Sequence, residues 1–290
     1  MKIRNLKSTF LIPLILLIFG CKKEASLKKA ILVDHQSIDL KKIPLDWIKK
    51  AKSTLHIAYG HTSYGSQLIT GMDVIESEIG DPYLWNNGTL EGSLDIRDAI
   101  MSGDLGQNGD VTWAATTRSY LGDWRNADIN VILWSWGDGV STSTEQNIKD
   151  YLDAMNQLEN DYPNVKFVYM TGHLDGTGET GNLNAGNEQI RKYCKENNKT
   201  LYDFADIESY DPEGHYFLDR LANGECQYDS DNSGTLDIGD GNWAIDWQNS
   251  HTEGIDWYQC SPANTQPING NMKGYAAWWL FAGLAGWDGN

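Results

Sequence analysis

The amino-acid sequence predicts an α/β protein: a three-layer α/β/α sandwich around a central, mainly parallel sheet. Four short apolar runs rich in β-branched residues recur along the chain, helix-like segments separate them, and each run ends in a polar stretch. Short, almost continuous apolar runs are typical of strands that helices cover on both faces. The alternation of strand and helix then favours a parallel sheet between two helical layers.

The individual elements follow from local patterns. Four strands are predicted, at 54–60, 129–136, 165–172 and 199–205. The clearest helix lies between the second and third strands, where Thr142 and Glu145 have the spacing of a capping box. The apolar residues after it share one helical face: Ile148, Tyr151, Leu152, Met155 and Leu158. Two further helices are predicted, over 184–197 and 271–285.

The first twenty residues have the layout of a secretory signal peptide. A basic head precedes the apolar run FLIPLILLIFG, and Cys21 follows Gly20. The stretch LIFGC resembles the lipobox of bacterial lipoproteins, which implies an exported protein anchored to a membrane through a lipid on Cys21. A single membrane-spanning anchor is the alternative, but the run is short for a bilayer. Residues 21–45 are then predicted to be a tether, and 46–290 a single domain.

The net charge of the chain indicates which classes of partner it repels. Without residues 1–20 the chain has 20 Lys and Arg against 40 Asp and Glu, a net charge of −20. A chain this acidic repels phosphates, so nucleic acid is not expected as a partner.

Cysteines are few. Export permits a disulfide between Cys226 and Cys260, while Cys194 falls on a predicted helix. The alternative is that all three are free, buried thiols.

A candidate nucleophile, Ser63, directly follows the first predicted strand in the stretch IAYGHTSYGSQL. All four predicted strands end in polar loops, and ligands of parallel sheets bind at the carboxyl ends of the strands. A serine on a strand-to-helix turn exposes its hydroxyl, and backbone N–H groups at the start of the helix face the same point. The alternative is a polar loop with spare hydroxyls.

The sequence Gly60-His61-Thr62-Ser63 resembles the first block of the SGNH (GDSL-like) hydrolases, in its histidine-containing variant. The resemblance implies a flavodoxin-like fold in which Ser63 is the nucleophile and Gly106 or Gly109 contributes to the oxyanion hole. The third block of the family maps to Gly137-Asp138-Gly139, where Gly-x-Asn is the family pattern. An ionised aspartate cannot donate a hydrogen bond, so Gly137 would have to donate its backbone N–H instead.

The family pattern also implies a base in the loop before the last helix. His251 is the histidine of that loop, and Asp246 is the carboxylate expected to orient it, although the two are five residues apart rather than three. Two other histidines are candidates for the pocket: His61 lies beside the serine, and His173 follows the third strand and competes with His251 as base or ligand.

The stretch DSDNSGTLDIGD has the ligand spacing of an EF-hand calcium loop. Gly234 occupies the sixth position, and the ligand positions are Asp229, Asp231, Ser233, Thr235, Asp237 and Asp240. We expect a structural Ca²⁺ in an insertion at about 224–262, and no organic cofactor. The alternative is a solvated acidic turn.

Tryptophans Trp247 and Trp257 flank the His251 loop, and flat aromatic rings suit stacking on sugars. The sequence therefore predicts an exported serine hydrolase that cleaves an ester, an acyl group on a polysaccharide. Two alternatives stay open: a non-catalytic glycan-binding lipoprotein, and a glycoside hydrolase or lyase that uses Asp138, Asp175 or Asp206.

Overall fold

The computed structural model describes residues 1, 30–88, 90–99 and 105–289. Its central sheet has seven strands: β1 (Ile31–Val33), β2 (His56–Gly60), β3 (Trp85–Asn86), β4 (Leu94–Asp98), β5 (Val131–Trp134), β6 (Lys166–Met170) and β7 (Thr200–Tyr202). The strand order is β1-β7-β6-β5-β2-β4-β3, and every pairing is parallel. The four predicted strands are β2, β5, β6 and β7. A small antiparallel ribbon, β8 (Gln227–Tyr228) with β9 (Gly241–Asn242), stands apart.

Helices cover both faces of the sheet, which confirms the predicted α/β/α sandwich. One layer contains α1 (Leu45–Thr54), α2 (Ser66–Ile79) and α9 (Pro267–Ala285). The other layer contains α3 (Thr112–Leu121), α4 (Gly139–Thr142), α5 (Glu145–Asp161) and α6 (Asn182–Glu196). Two shorter helices, α7 (Phe204–Glu208) and α8 (Trp243–Ser250), contact α9.

The core lies between the layers. Residues of β2, β5 and β6 are almost all buried, as continuous apolar strands require. Gly60 at the end of β2 pairs with Trp134, and a Cβ at this position would come within 2.4 Å of the Trp134 ring. The glycine therefore lets a fully buried tryptophan pack across the end of the strand.

Three predictions need correction. The helix α5 is capped by Thr144 with Asn147, two residues after the predicted Thr142 and Glu145, and Thr142 belongs to α4. The tether is shorter than predicted, because β1 pairs with β7 and residues 31–45 belong to the domain. The disulfide is absent: Cys226 Sγ lies 3.4 Å from Thr265 Oγ1, and Cys260 Sγ lies 3.6 Å from the Pro267 carbonyl.

The predictions of a signal peptide and a lipid anchor concern the N-terminal residues. The signal peptide and Cys21 lie outside the described residues. Within the described part of the chain, no helix has the length and apolar character needed to cross a membrane.

Candidate active site

The strand order reverses between β2 and β5. After β2 the chain continues through α2 to β3 and β4 on one side, and β5 then pairs with the opposite edge of β2. In open parallel sheets the crevice at such a switch point, at the carboxyl ends of the strands, is the usual ligand site. The residues that follow β2 and β5, 61–65 and 135–138, therefore define the candidate site.

Ser63 lies on the turn between β2 and α2 and is exposed. The turn is held at both ends: the Ser66 hydroxyl donates to the Ser63 carbonyl at 2.6 Å, and the Tyr59 hydroxyl donates to the Gly65 carbonyl at 2.9 Å. Among the described residues, no hydrogen bond joins the Ser63 hydroxyl to a histidine. The side chain is thus presented at the rim of the sheet, open to a ligand.

His173, which follows β6, lies beside this turn. Its ring stacks on Tyr64 with centroids 3.5 Å apart and planes 12° apart. Its Nδ1 is 3.0 Å from the Leu174 carbonyl, and its Nε2 is 3.0 Å from Asp138 Oδ1. His173 is buried, whereas the Asp138 side chain is 71% exposed. Asp138 therefore faces an imidazole from the solvent side.

Carboxylates surround the Tyr64–His173 stack. Burial, followed by the negative charges of Asp138, Glu208 and Glu225, raises the pKa of the Tyr64 hydroxyl. The surroundings of the Tyr64 hydroxyl are therefore electronegative.

A second histidine–carboxylate pair lies at the start of the same turn. His61 Nε2 is 2.7 Å from Asp98 Oδ1, and its Nδ1 is 2.8 Å from the Thr62 carbonyl. Asp98 is the last residue of β4, a strand that pairs with β2. Sequence analysis missed Asp98, although the alternation in LDIRD was a signal for a strand there.

The two predicted oxyanion-hole glycines come to the same rim. The Leu105 N–H donates to the Ser135 carbonyl at 3.3 Å, which brings Gly106 to the end of β5, and Gly137 follows β5 directly. The Ser135 hydroxyl is buried against the Ser63 turn, since a Cβ on Gly65 would come within 2.2 Å of it. Sequence analysis did not single out Ser135.

The predicted base His251 lies in a different environment. Its Nδ1 is 2.8 Å from the Trp247 carbonyl, and its Nε2 is 3.3 Å from Glu213 Oε1. Asp246 is exposed on α8, and among the described ion pairs the carboxylate partner of His251 is Glu213 instead. The predicted His251–Asp246 pair is therefore not formed, because residues 243–250 are helical and direct Asp246 into solvent.

His251 lines a cleft of about 610 Å³ on the outer side of α9, together with Met272, Tyr275 and Ile79 at the end of α2. The residues that line this cleft include neither Ser63 nor His173. The structure brings His173, not His251, to the Ser63 turn.

The predicted tryptophan platform is also wrong. Trp247 and Trp257 are only 8% and 7% exposed, and the Trp247 ring stacks on His251 at 3.7 Å. Both rings pack in the core, so neither offers a flat face to a sugar.

The predicted calcium loop is folded compactly between β8 and β9. Oxygens of Asp229, Asp231 and Asp240 lie within 4.8 Å of one another. Gly234 has φ of 86°, a left-handed conformation that suits glycine at the sixth position. Burial acts to raise the pKa of Asp229, but N–H donors from Gly234 and Ser233 outweigh it and hold that pKa below the usual value. The donor set of ionised carboxylates fits a hard divalent cation such as Ca²⁺.

The chain has only a weak likeness to known proteins. No family model matches the chain, and no curated protein matches it. A solved structure from Bacteroides fragilis, a protein with the provisional name acylhydrolase, matches 56% of this chain and 73% of its own chain. The TM-score is 0.33 and the identity is 11%. At this level of likeness neither family membership nor an activity follows.

Proposed function

We propose that this protein is an exported, lipid-anchored ester hydrolase with Ser63 as nucleophile. One observation carries the proposal: an exposed serine on a strand-to-helix turn at the switch point of the sheet, where His61 begins the turn and His173 stacks on Tyr64 of the same turn. Export and the anchor rest on the lipobox-like sequence at Cys21. A polysaccharide was predicted from Trp247 and Trp257, whose burial removes that support, so the proposal keeps the ester and not the sugar.

His173 is the base in this proposal. Its Nδ1 donates to the Leu174 carbonyl, so the neutral ring keeps its lone pair on Nε2. In the structure Nε2 faces Asp138 Oδ1, so it has to exchange that oxygen for the Ser63 hydroxyl before it acts as base. It then takes the proton of Ser63 as the hydroxyl attacks the ester carbonyl, and the nearby negative charge of Asp138 stabilises the imidazolium. The proton passes to the departing alcohol, and water hydrolyses the acyl-enzyme. Proton transfer needs the ring nitrogen to come within about 3 Å of the hydroxyl.

The oxyanion would be bound by backbone N–H groups near Ser63, Gly106 and Gly137. Ser63 follows β2, Gly137 follows β5, and the Leu105 N–H donates to the Ser135 carbonyl, so these residues lie at the same rim of the sheet. Such preorganised donors are worth about 3–4 kcal/mol of barrier each in acyl transfer.

Glycan binding without chemistry is the second candidate. This candidate is favoured because, among the described residues, no hydrogen bond joins the Ser63 hydroxyl to a histidine. The glycoside hydrolase alternative has less support, since Asp206 is bound to His35 at 2.6 Å and Asp175 accepts from the Thr177 backbone and hydroxyl.

We also propose that the loop 229–240 binds Ca²⁺ in a structural role. Asp229, Asp231 and Asp240 would supply the carboxylate oxygens. The ion would brace the ribbon of β8 and β9 from which α8 begins.

The test of the ester hydrolase is covalent labelling. A fluorophosphonate probe is expected to label the wild-type protein at Ser63, and Ser63→Ala is expected to abolish the label. Ser53→Ala is the matched control, because it removes an exposed serine hydroxyl from α1 and leaves the Ser63 turn intact. A glycan that binds equally well to wild type and Ser63→Ala, with no labelling of either, would support the binding protein instead.

A further inference from the structure

A fully buried ion pair lies beneath the candidate site. Lys273 of α9 and Glu208 of α7 are both 0% exposed, and Lys273 Nζ lies 2.6 Å from Glu208 Oε1. Lys273 also donates to Gln67 Oε1, and its Nζ stands 3.9 Å from the centroid of the Phe204 ring. Neither charged group has a part in the chemistry proposed above.

The ion pair is tied to both sides of the site. On one side, Gln67 is the second residue of α2 and lies four residues after Ser63. On the other side, Glu208 Oε2 accepts from the Leu174 N–H at 2.8 Å, and the Leu174 carbonyl in turn contacts His173 Nδ1. One buried pair thus connects the turn that carries Ser63 to the loop that carries His173.

Stability alone does not account for these charges. Burying two charges is costly, and replacing a buried pair by apolar residues is often neutral or stabilising. Burial lowers the pKa of Lys273, and Glu208 opposes this by attracting the ammonium. The buried pair fixes geometry in a way that apolar side chains could not. Each carboxylate oxygen of Glu208 accepts from one donor, Oε1 from Lys273 and Oε2 from the Leu174 N–H.

We propose that Lys273 and Glu208 are positioning residues that hold the Ser63 turn and the His173 loop in register. This inference rests on the proposed function of Ser63. Lys273 acts through Gln67, and Glu208 acts through the backbone of Leu174. Neither residue touches the reacting atoms.

Labelling kinetics test this assignment. The variants are Lys273→Met, Glu208→Gln and the doubly apolar Lys273→Met with Glu208→Leu, and the readout is the rate of Ser63 labelling by a fluorophosphonate across pH. We expect each folded variant to label about 10-fold more slowly or worse and with an altered pH profile, because small displacements of reacting groups are costly. The double variant leaves no unpaired buried charge, so its labelling rate is measurable even if the single variants do not fold.

The matched control is the Lys199–Glu159 ion pair, at the opposite end of the sheet. Lys199→Met with Glu159→Gln removes the same kinds of charge, and it is expected to change thermal stability but not the labelling rate or its pH profile. Wild-type labelling rates at every pH in the folded Lys273 and Glu208 variants would overturn the positioning role.

A separate readout distinguishes this failure from failure of the ester hydrolase. If the wild-type protein is not labelled at all, the proposed function is wrong, and the ring ¹⁵N resonances of His173 then test the positioning role directly. Movement of those resonances in the Lys273 and Glu208 variants, but not in the Lys199–Glu159 control, would support it. Unmoved resonances would contradict it.

Discussion

All six histidines lie close to a carboxylate. The ring nitrogens of His35, His56, His61, His173, His215 and His251 are 2.6–3.3 Å from an Asp or Glu oxygen. In a chain with 40 carboxylates and a net charge of −17 such pairs form readily, so a histidine–carboxylate pair is weak evidence of catalysis. Position decides between them: His61 lies on the Ser63 turn, and His173 stacks on Tyr64 of that turn.

The residue that sequence favoured, His251, shows why spacing alone misled. The family pattern predicts a carboxylate a few residues before the histidine. Glu213, the carboxylate beside His251, comes instead from a distant part of the chain. Ser63 itself was placed correctly on the strand-to-helix turn, because that turn depends on local sequence. Asp98 and the His173–Asp138 pair depend on which strands are neighbours, which the sequence did not specify.

The two histidines give opposite predictions. His173→Asn is expected to slow fluorophosphonate labelling of Ser63 by about 100-fold or more, the usual loss when a general base is removed. His251→Asn is expected to leave the labelling rate within about 2-fold of wild type, because His251 lies in another cleft. Circular dichroism confirms that each variant is folded. The reverse pattern of rates would return the role of base to His251.

At the scale of elements, the apolar strands were predictable and the short or polar ones were not. The strands β2, β5, β6 and β7 were found because their buried runs are nearly continuous. The other strands were missed: β1 has three residues, β3 has two, and β4 has the sequence LDIRD, in which charged residues break the continuous apolar run. The rim that carries the site was therefore only partly visible from sequence.

The packing of α2 on α9 gives a prediction at this scale. A Cβ on Gly274 would come within 2.4 Å of the Gly71 backbone, so the two helices touch through their main chains. Gly274→Ala is expected to destabilise the fold by about 1–3 kcal/mol, as overpacking does, although alanine favours helix by about 1 kcal/mol over glycine. Urea unfolding followed by circular dichroism measures the difference.

The matched control for that substitution is Gly283→Ala in the same helix. A Cβ there would meet only the Ile31 side chain, at 3.2 Å, which is able to shift. Gly283→Ala is expected to be neutral or stabilising. Equal unfolding free energies for the two variants would show that the close helix contact is not a constraint.

At the scale of the whole molecule, the loop 229–240 connects the negative charge of the chain to the stability of its fold. Its three converging carboxylates add to a chain that already carries net negative charge, and self-repulsion of that kind destabilises a compact state. The loop is closed by β8 and β9, and α8 starts at the next residue and packs on α9. A divalent cation in the loop would thus relieve repulsion and strengthen a segment that contacts the main layer of helices.

Calcium removal is the corresponding prediction. Ca²⁺ at 100 times its dissociation constant would stabilise the folded protein by about 2.7 kcal/mol, which raises the Tm of a domain this size by about 5–10 °C. Asp231→Asn and Asp240→Asn are expected to abolish most of that rise, since each removes a carboxylate from the cluster. Asp110→Asn, in an exposed acidic turn elsewhere, is expected to keep it. A Tm that is the same in Ca²⁺ and in chelator would identify the loop as an acidic turn without a metal, held by its own N–H donors to Asp229 and Asp240.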